Sequence, residues 1–387
     1  MESANAVSRP RSAQIAAIRG LAIFGVLQCH LMAVTGFYDL FGAPHWLVHM
    51  FKSGGFGVDL FFVISGFLLT RGLLDAKGAG VVAAFYRRRA RRIIPAYWLL
   101  LAVGFSLSWL FSDIDTPSVA WLWSGAYSPL VYLGFLQNIM IGVDSVWRAN
   151  FFAHTWSLAV EEQFYLVIPL LVVLTGRRAL VAFTLAALVL GPVARMWIAA
   201  DYSTIAAYCW PVSRMDAFAW GMAVALFAHA RPDLLRRTPA GPLAAAAIAL
   251  FVLFQAFAGW RVGEAPVAYA LKFTFVDATA AMLVLAAAAA PAGAAIERAH
   301  VHRALAWMGE RCFSLYLFHN ACMGLAFLAA SAIWPEGGVL PFLVAIAASW
   351  IAALAIGDLS YRRVELPFMA GGSGPLFARR QPATALG

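Results

Sequence analysis

Runs of about 20 mostly apolar residues, each long enough to cross a bilayer, recur ten times along this chain. They fall near residues 15–35, 55–74, 93–111, 157–175, 179–198, 214–230, 240–259, 267–290, 303–330 and 339–357. Inside hydrocarbon no backbone amide can turn to water, so such runs have to become α-helices that satisfy their own hydrogen bonds. The expected fold class is all-α: a polytopic integral membrane protein of about ten transmembrane helices. Composition agrees, with 63% hydrophobic and 12% charged residues, where a soluble domain would carry about 25% charged.

The basic residues set the expected orientation. With the N-terminus inside and every run crossing once, the inner segments hold Arg9 and Arg11; Lys77, Arg87, Arg88, Arg89, Arg91 and Arg92; Arg177 and Arg178; Arg231, Arg236 and Arg237; Arg298 and Arg303; and Arg362, Arg363, Arg379 and Arg380. The outer connections hold Lys52, Arg148 and Arg261, with Arg195, Arg214 and Lys272 near outer helix ends. Lys and Arg collect on the cytoplasmic side of membrane proteins, which predicts both termini in the cytoplasm and a multi-pass protein of the plasma (inner) membrane. The net charge of +9 is then topological, and the lipid bilayer rather than nucleic acid is the expected partner. The first run keeps Arg19 inside it and lacks a small-residue cleavage site, as a retained helix does.

Residues 112–156 test this parse. They contain an apolar stretch near Val119–Ile141 that is almost long enough to span, yet a crossing there would put every later basic segment outside. The segment is therefore expected to lie on or dip into the outer face, with Trp121, Trp123, Tyr127 and Tyr132 at the interface. Residues 1–370 read as one membrane domain and 371–387 as a short disordered tail.

Ionisable residues at membrane depth are costly and mark functional interiors. In the first run Arg19 and His30 lie eleven residues apart, about three helical turns plus roughly 20°. Both face nearly the same side, about 16 Å apart along the axis. The basic cluster FYRRRARRIIP at 85–95 fits a topogenic loop, and it also fits a phosphate or anionic-lipid site, because a guanidinium forks onto phosphate. Arg71 and Arg19 approach from the same side, which favours the phosphate reading.

In HTWSLAVEEQFYL, at 154–166, Ser157, Glu161 and Tyr165 recur every four residues and share a helix face. A hydrogen-bond ladder that merely ties helices is the structural alternative. Asp59, Arg214, Asp216 and His319 are expected at a similar outer depth, grouped with Glu161 around His30, while the inner mouth offers only arginines. The cysteines (Cys29, Cys209, Cys312, Cys322) have no metal-ligand spacing, so neither a disulfide nor a bound metal is expected.

Arg19-x10-His30, GVDLFFVISGFLL (57–69), RRARRIIP (88–95), HTWSLAVEEQFY, SLYLFH (314–319) and YRRVELP (361–367) together resemble the integral-membrane acyltransferase-3 family, in order and over nearly the whole chain. The resemblance implies transfer of an acyl group, commonly acetyl, from cytoplasmic acyl-CoA to a hydroxyl of an extracytoplasmic carbohydrate or glycolipid. It implies essential roles for Arg19 and His30, donor handling by Arg88, Arg89 and Arg92, and function for Ser157, Glu161 and Tyr165. Some relatives add a C-terminal soluble esterase-like domain; none is expected here after Pro367.

On this view Arg71 joins the donor-binding arginines and acyl-CoA is a substrate, with no bound cofactor. His30 acts as general base, since imidazole titrates near neutrality, and Glu161 orients His30 or the acceptor. Arg214, Tyr165 or a backbone amide meets the oxyanion. Ser157, Tyr165, Asp59, Arg214, Asp216 and His319 bind the acceptor or support the site, and Trp121 and Trp123 are candidates to stack on a sugar. Cys29 adjoins His30, but neighbouring helical side chains diverge by about 100°. The competing class is a transporter or flippase that uses the same buried charges, although no repeated halves are visible.

Overall fold

The computed structural model describes residues 13–35, 45–74, 80–114, 117–256, 265–291 and 293–370; Arg9, Arg11, Lys77, Arg261, Arg379, Arg380 and the tail 371–387 lie outside the described residues. The main helices are α1 (Ala13–Thr35), α2 (His45–Lys52), α3 (Gly57–Leu74), α4 (Val81–Leu110), α5 (Trp156–Asp201), α6 (Met215–Ala230), α7 (Ala240–Phe254), α8 (Pro266–Ala289), α9 (His300–Glu310), α10 (Cys312–Ile333) and α11 (Val339–Ser360). No strand occurs among the described residues. Among the described residues, eight helical stretches are long and apolar enough to cross a membrane. α6 and α7 are apolar but shorter, at 16 and 15 residues, so each predicted run contains a helix.

The interior combines an apolar core with buried ionisable groups, while large apolar side chains face outward. Asp59, Arg195, Arg214, Asp216 and His319 are fully buried, while Trp109, Leu340 and Ile351 are each more than two-thirds exposed. Apolar surface on this scale has no place in water. It is what a lipid-facing bundle presents, with its ionisable groups turned inward.

Three local departures from the sequence-based expectation have physical causes. The third run begins not at residue 93 but at Val81, so the arginine cluster sits on the helix rather than in a loop. Arginine is a good helix former, and Pro95 is accommodated inside α4 at the loss of one backbone donor. The fourth and fifth runs form one continuous element interrupted at Gly176, whose φ of +75° lies in the left-handed region that glycine adopts without a Cβ clash.

The ninth run, expected over 303–330, is two helices that break at Arg311. There the Arg311 side chain donates to Asp358 at 2.5 Å and to the Trp307 carbonyl at 3.2 Å. The piece before the break, α9, packs against the first half of α1. Gly20 faces the Leu305 carbonyl and Gly309 faces the Ala16 carbonyl, each too close for a Cβ. These reciprocal glycines let the two backbones touch beside Arg19.

Between α4 and α5 lie four short helices, Pro117–Trp123, Pro129–Leu133, Gln137–Asp144 and Asn150–Ala153, none of them long enough to span. As expected, this segment does not cross as a helix. It clasps the neighbouring helices through side chains that satisfy backbone carbonyls. Tyr97 donates to Tyr132 O at 2.9 Å, Trp123 to Gly104 O at 3.1 Å and Gln137 to Thr155 O at 2.9 Å. Trp123 is buried in this clasp, which removes it as a sugar-stacking surface; the Trp121 side chain lies outside the described residues.

Candidate active site

The arginines of α4 divide according to helical period. Phe85, Ile93, Ala96, Tyr97 and Leu100 are buried, and Arg89 and Arg92 continue that inward stripe. Arg87, Arg88 and Arg91 are exposed. Arg88, Arg89, Arg91 and Arg92 line a cavity of about 320 Å³ with Leu68 and Phe85. A second cavity, of about 90 Å³, is lined by Arg19, Arg89, Arg92, Ser157, Glu161 and Tyr316 among others. Leu68, Arg89 and Arg92 belong to both walls, so the two spaces adjoin across two guanidinium groups. Arg71 is exposed and lines neither cavity.

Ser157, Glu161 and Tyr165 all line the smaller cavity, as their four-residue spacing predicts. Glu161 accepts hydrogen bonds on Oε1 from the hydroxyls of Ser65 and Tyr165, the latter at 2.6 Å. The Arg89 guanidinium lies 4.3 Å from the Tyr165 ring centroid and donates to its hydroxyl at 3.3 Å. Arg92 is 3.6 Å from Glu365, which is buried and also accepts from Ser314 at 3.1 Å. Glu161 thus belongs to the arginine end of the site, not to the surroundings of His30.

The expected single group of outer polar residues is three groups instead. The second is a sealed cluster: Arg214 pairs with Asp59, and Arg195 with Asp216. Asp277 is buried among these charges, and all five side chains have no exposure. Arg214 also lies 4.6 Å from the Phe273 ring centroid and 5.3 Å from that of Tyr208. Charges withdrawn from water pair with one another or remain very costly. Such pairing explains why Asp59, Arg214 and Asp216 line neither cavity wall described above. Arg214 therefore has no access to an oxyanion in this cavity.

The third group is built from imidazoles. His319 Nε2 is 3.1 Å from His30 Nδ1, and His30 Nδ1 is also 3.0 Å from the Val26 carbonyl. His319 Nδ1 is 2.6 Å from the Tyr316 carbonyl. His154 packs edge-on against His319, with centroids 4.9 Å apart, and reaches the Leu317 carbonyl at 3.1 Å. His319 alone of the predicted outer residues joins His30. Arg19 and His30 both face α10: Arg19 shares a cavity with Cys312, and His30 meets His319 seven residues further along that helix.

The Ser157 and Tyr316 hydroxyls are hydrogen-bonded at 2.7 Å, and Tyr316 also donates to the His154 carbonyl. Both residues line the arginine-lined cavity, and the Tyr316 ring also contacts His154 and His319, at centroid distances of 5.2 and 5.6 Å. Ser65, His154, Tyr316 and Glu365 were not singled out from the sequence as site residues. Each, however, sits within one of the motifs quoted above, where its spacing from the chosen residues was the available signal.

Fold and interior together define a multi-pass membrane protein whose helices enclose a basic mouth, a carboxylate and a histidine cluster. The chain belongs to the acyltransferase-3 family: the family model, described as an acyltransferase domain, matches residues 12–358. The peptidoglycan O-acetyltransferase OatA of Listeria monocytogenes is 27% identical over 390 residues, covering 96% of this chain and 58% of that protein. The protein YrhL of Bacillus subtilis is 26% identical over 351 residues, covering 83% and 51%. The O-acetyltransferase OatA of Staphylococcus aureus is 34% identical over 164 residues, covering 40% and 24%. The chain thus spans about half the length of the first two relatives. No solved structure matches it.

Proposed function

We propose that this domain moves an acyl group, acetyl in the first instance, from acyl-CoA on the cytoplasmic side of the plasma membrane to a hydroxyl of an extracytoplasmic carbohydrate or glycolipid. The observation that carries the reading is the pair of adjoining cavities that lead from the exposed Arg88 and Arg91, past Arg89 and Arg92, to Arg19 and Glu161. The family supports acyl transfer, and relatives named as O-acetyltransferases, one of them of peptidoglycan, support a carbohydrate acceptor. The basic end is assigned to the cytoplasm because Lys and Arg collect there.

Arginines at the mouth hold the donor's phosphates by charge-assisted, bidentate hydrogen bonds. The neutral pantetheine arm runs along α1, and the thioester arrives at the Ser157–Tyr316 pair. Parting of that pair joins the cavity to the histidines. His30 takes the proton of the acceptor hydroxyl as its oxygen bonds to the thioester carbonyl carbon. The C–S bond then breaks and His30 returns the proton to the departing thiolate, so that ester and free CoA are the products. Arg19 stands on the arginine side, where the carbonyl oxygen gains negative charge.

The test is the purified full chain in lipid nanodiscs with radiolabelled acetyl-CoA and a cell-envelope glycan extract. Transfer of label to glycan together with release of free CoA is expected. Movement of acetyl-CoA or glycan across the bilayer with no ester formed would overturn the reading in favour of a carrier.

A further inference from the structure

The imidazole pair carries more information than proximity. A carbonyl oxygen accepts and never donates, so His319 Nδ1, 2.6 Å from the Tyr316 carbonyl, carries the proton of the neutral ring. Its Nε2 then holds a bare lone pair. The atom facing that lone pair at 3.1 Å is His30 Nδ1, which must therefore be the donor. The Val26 carbonyl, 3.0 Å from the same nitrogen, demands the same thing independently. Two acceptors converge on one N–H, and the tautomer of His30 is settled from both sides.

We infer that His319 is a positioning residue for His30: it holds the His30 ring in the Nδ1–H form and leaves Nε2 as the nitrogen that receives the acceptor's proton. The inference rests on the transfer reading above. When Nε2 is protonated, the imidazolium still donates from Nδ1, and His319 Nε2 still accepts. Neither ring has to turn as charge appears, and preorganised acceptors of this kind stabilise charge without reorganisation. His319 is itself immobilised. It is fully buried, bonded to the backbone of its own helix, and wedged by the His154 ring at 4.9 Å with an interplanar angle of 69°. His154 is held in turn by the Leu317 carbonyl, so the chain of rings is anchored twice to α10.

The expected effect is that of a lost hydrogen bond to a charged group, about 10- to 100-fold in rate. Three variants separate position from packing. His319→Gln keeps an acceptor within reach of His30. His319→Asn keeps the donor to the Tyr316 carbonyl but ends short of His30. His319→Phe keeps bulk and removes both.

In nanodiscs kcat should fall at least tenfold in H319N and H319F, with KM for acetyl-CoA within about twofold of the unmodified protein, while H319Q recovers to within about threefold. Should H319F fail to fold, the H319N and H319Q pair decides alone. Equal activity of H319N and H319Q, or an H319F that keeps full kcat, would overturn the inference even though transfer itself stands. An activity-independent arm uses ¹⁵N-histidine-labelled protein, with His30 assigned by its loss in H30A. An Nδ1–H signature for neutral His30 is expected, and an Nε2–H signature overturns the inference whether or not transfer is observed.

Discussion

The guanidinium of Arg89 lies 4.3 Å from the ring centroid of Tyr165, while the Tyr165 hydroxyl donates to Glu161 at 2.6 Å. One cation, one aromatic ring and one carboxylate thus form a line from the basic mouth into the interior. Arg89 has two functions in this arrangement: it walls both cavities and it polarises the hydroxyl that holds Glu161. Removing it should be felt at the mouth and at the carboxylate.

The first prediction concerns donor affinity. Arg89→Ala and Arg92→Ala should each weaken acetyl-CoA binding about 10- to 100-fold, the effect of losing a charge-assisted hydrogen bond of about 1.5–3 kcal/mol. Arg71→Ala should leave binding unchanged, because Arg71 lines neither cavity. Calorimetric titration of CoA into the three variants checks both statements. Equal losses in all three would mean that the cluster acts through net charge alone.

A second prediction separates chemistry from scaffolding at Glu161. Glu161→Gln keeps the side-chain shape and an oxygen for Ser65 or Tyr165, but removes the charge. If the carboxylate acts on the reacting groups, kcat should fall about 100-fold, at the lower end of what acid–base assistance supplies, with donor KM nearly unchanged. A variant with full kcat would return Ser157, Glu161 and Tyr165 to a hydrogen-bond ladder.

How much of this was legible beforehand depended on the kind of question. Helix number and the non-crossing of 112–156 follow from hydrocarbon thickness and charge placement, both one-dimensional properties of a chain. The inward turn of Arg89 and Arg92 follows from helical period, which Phe85, Arg89, Arg92, Ala96 and Leu100 keep, but a run of arginines next to an apolar span fits a loop as well as a helix. The division of the outer polar residues was not readable. Position along a helix gives height in the bilayer, whereas partners at one height depend on the order of helices around the bundle. Asp59 and His319 were therefore expected around one centre, although Asp59 pairs with Arg214 of the segment leading into α6 and His319 meets His30 of α1.

The sealed cluster supplies a third prediction, on stability. Breaking one partner of a fully buried ion pair leaves the other uncompensated, at about 3–5 kcal/mol. Asp59→Ala, which strands Arg214, should lower Tm in detergent markedly, while Arg71→Ala should not move it. Thermal unfolding followed by a thiol-reactive dye, which reports the buried cysteines, distinguishes the two. An unchanged Tm in D59A would mean that water reaches the cluster.

A fourth prediction concerns the seat of Arg19. Gly309 meets the Ala16 carbonyl with no space for a Cβ, so Gly309→Leu should push α9 from α1 and displace Arg19 from the cavity. Reduced acetyl-CoA affinity together with a lowered Tm is expected. Retention of both would show that α9 packs more loosely than the backbone approach implies.

The most direct test of the central claim, that a guanidinium-lined mouth delivers the donor to His30, is single-turnover acetyl transfer by His30→Ala with CoA binding measured on the same preparation. The account predicts CoA affinity within about twofold of the unmodified protein and transfer lowered by at least about 100-fold, the smallest loss expected on removing a general base. Near-normal transfer by a folded, CoA-binding H30A protein would contradict it.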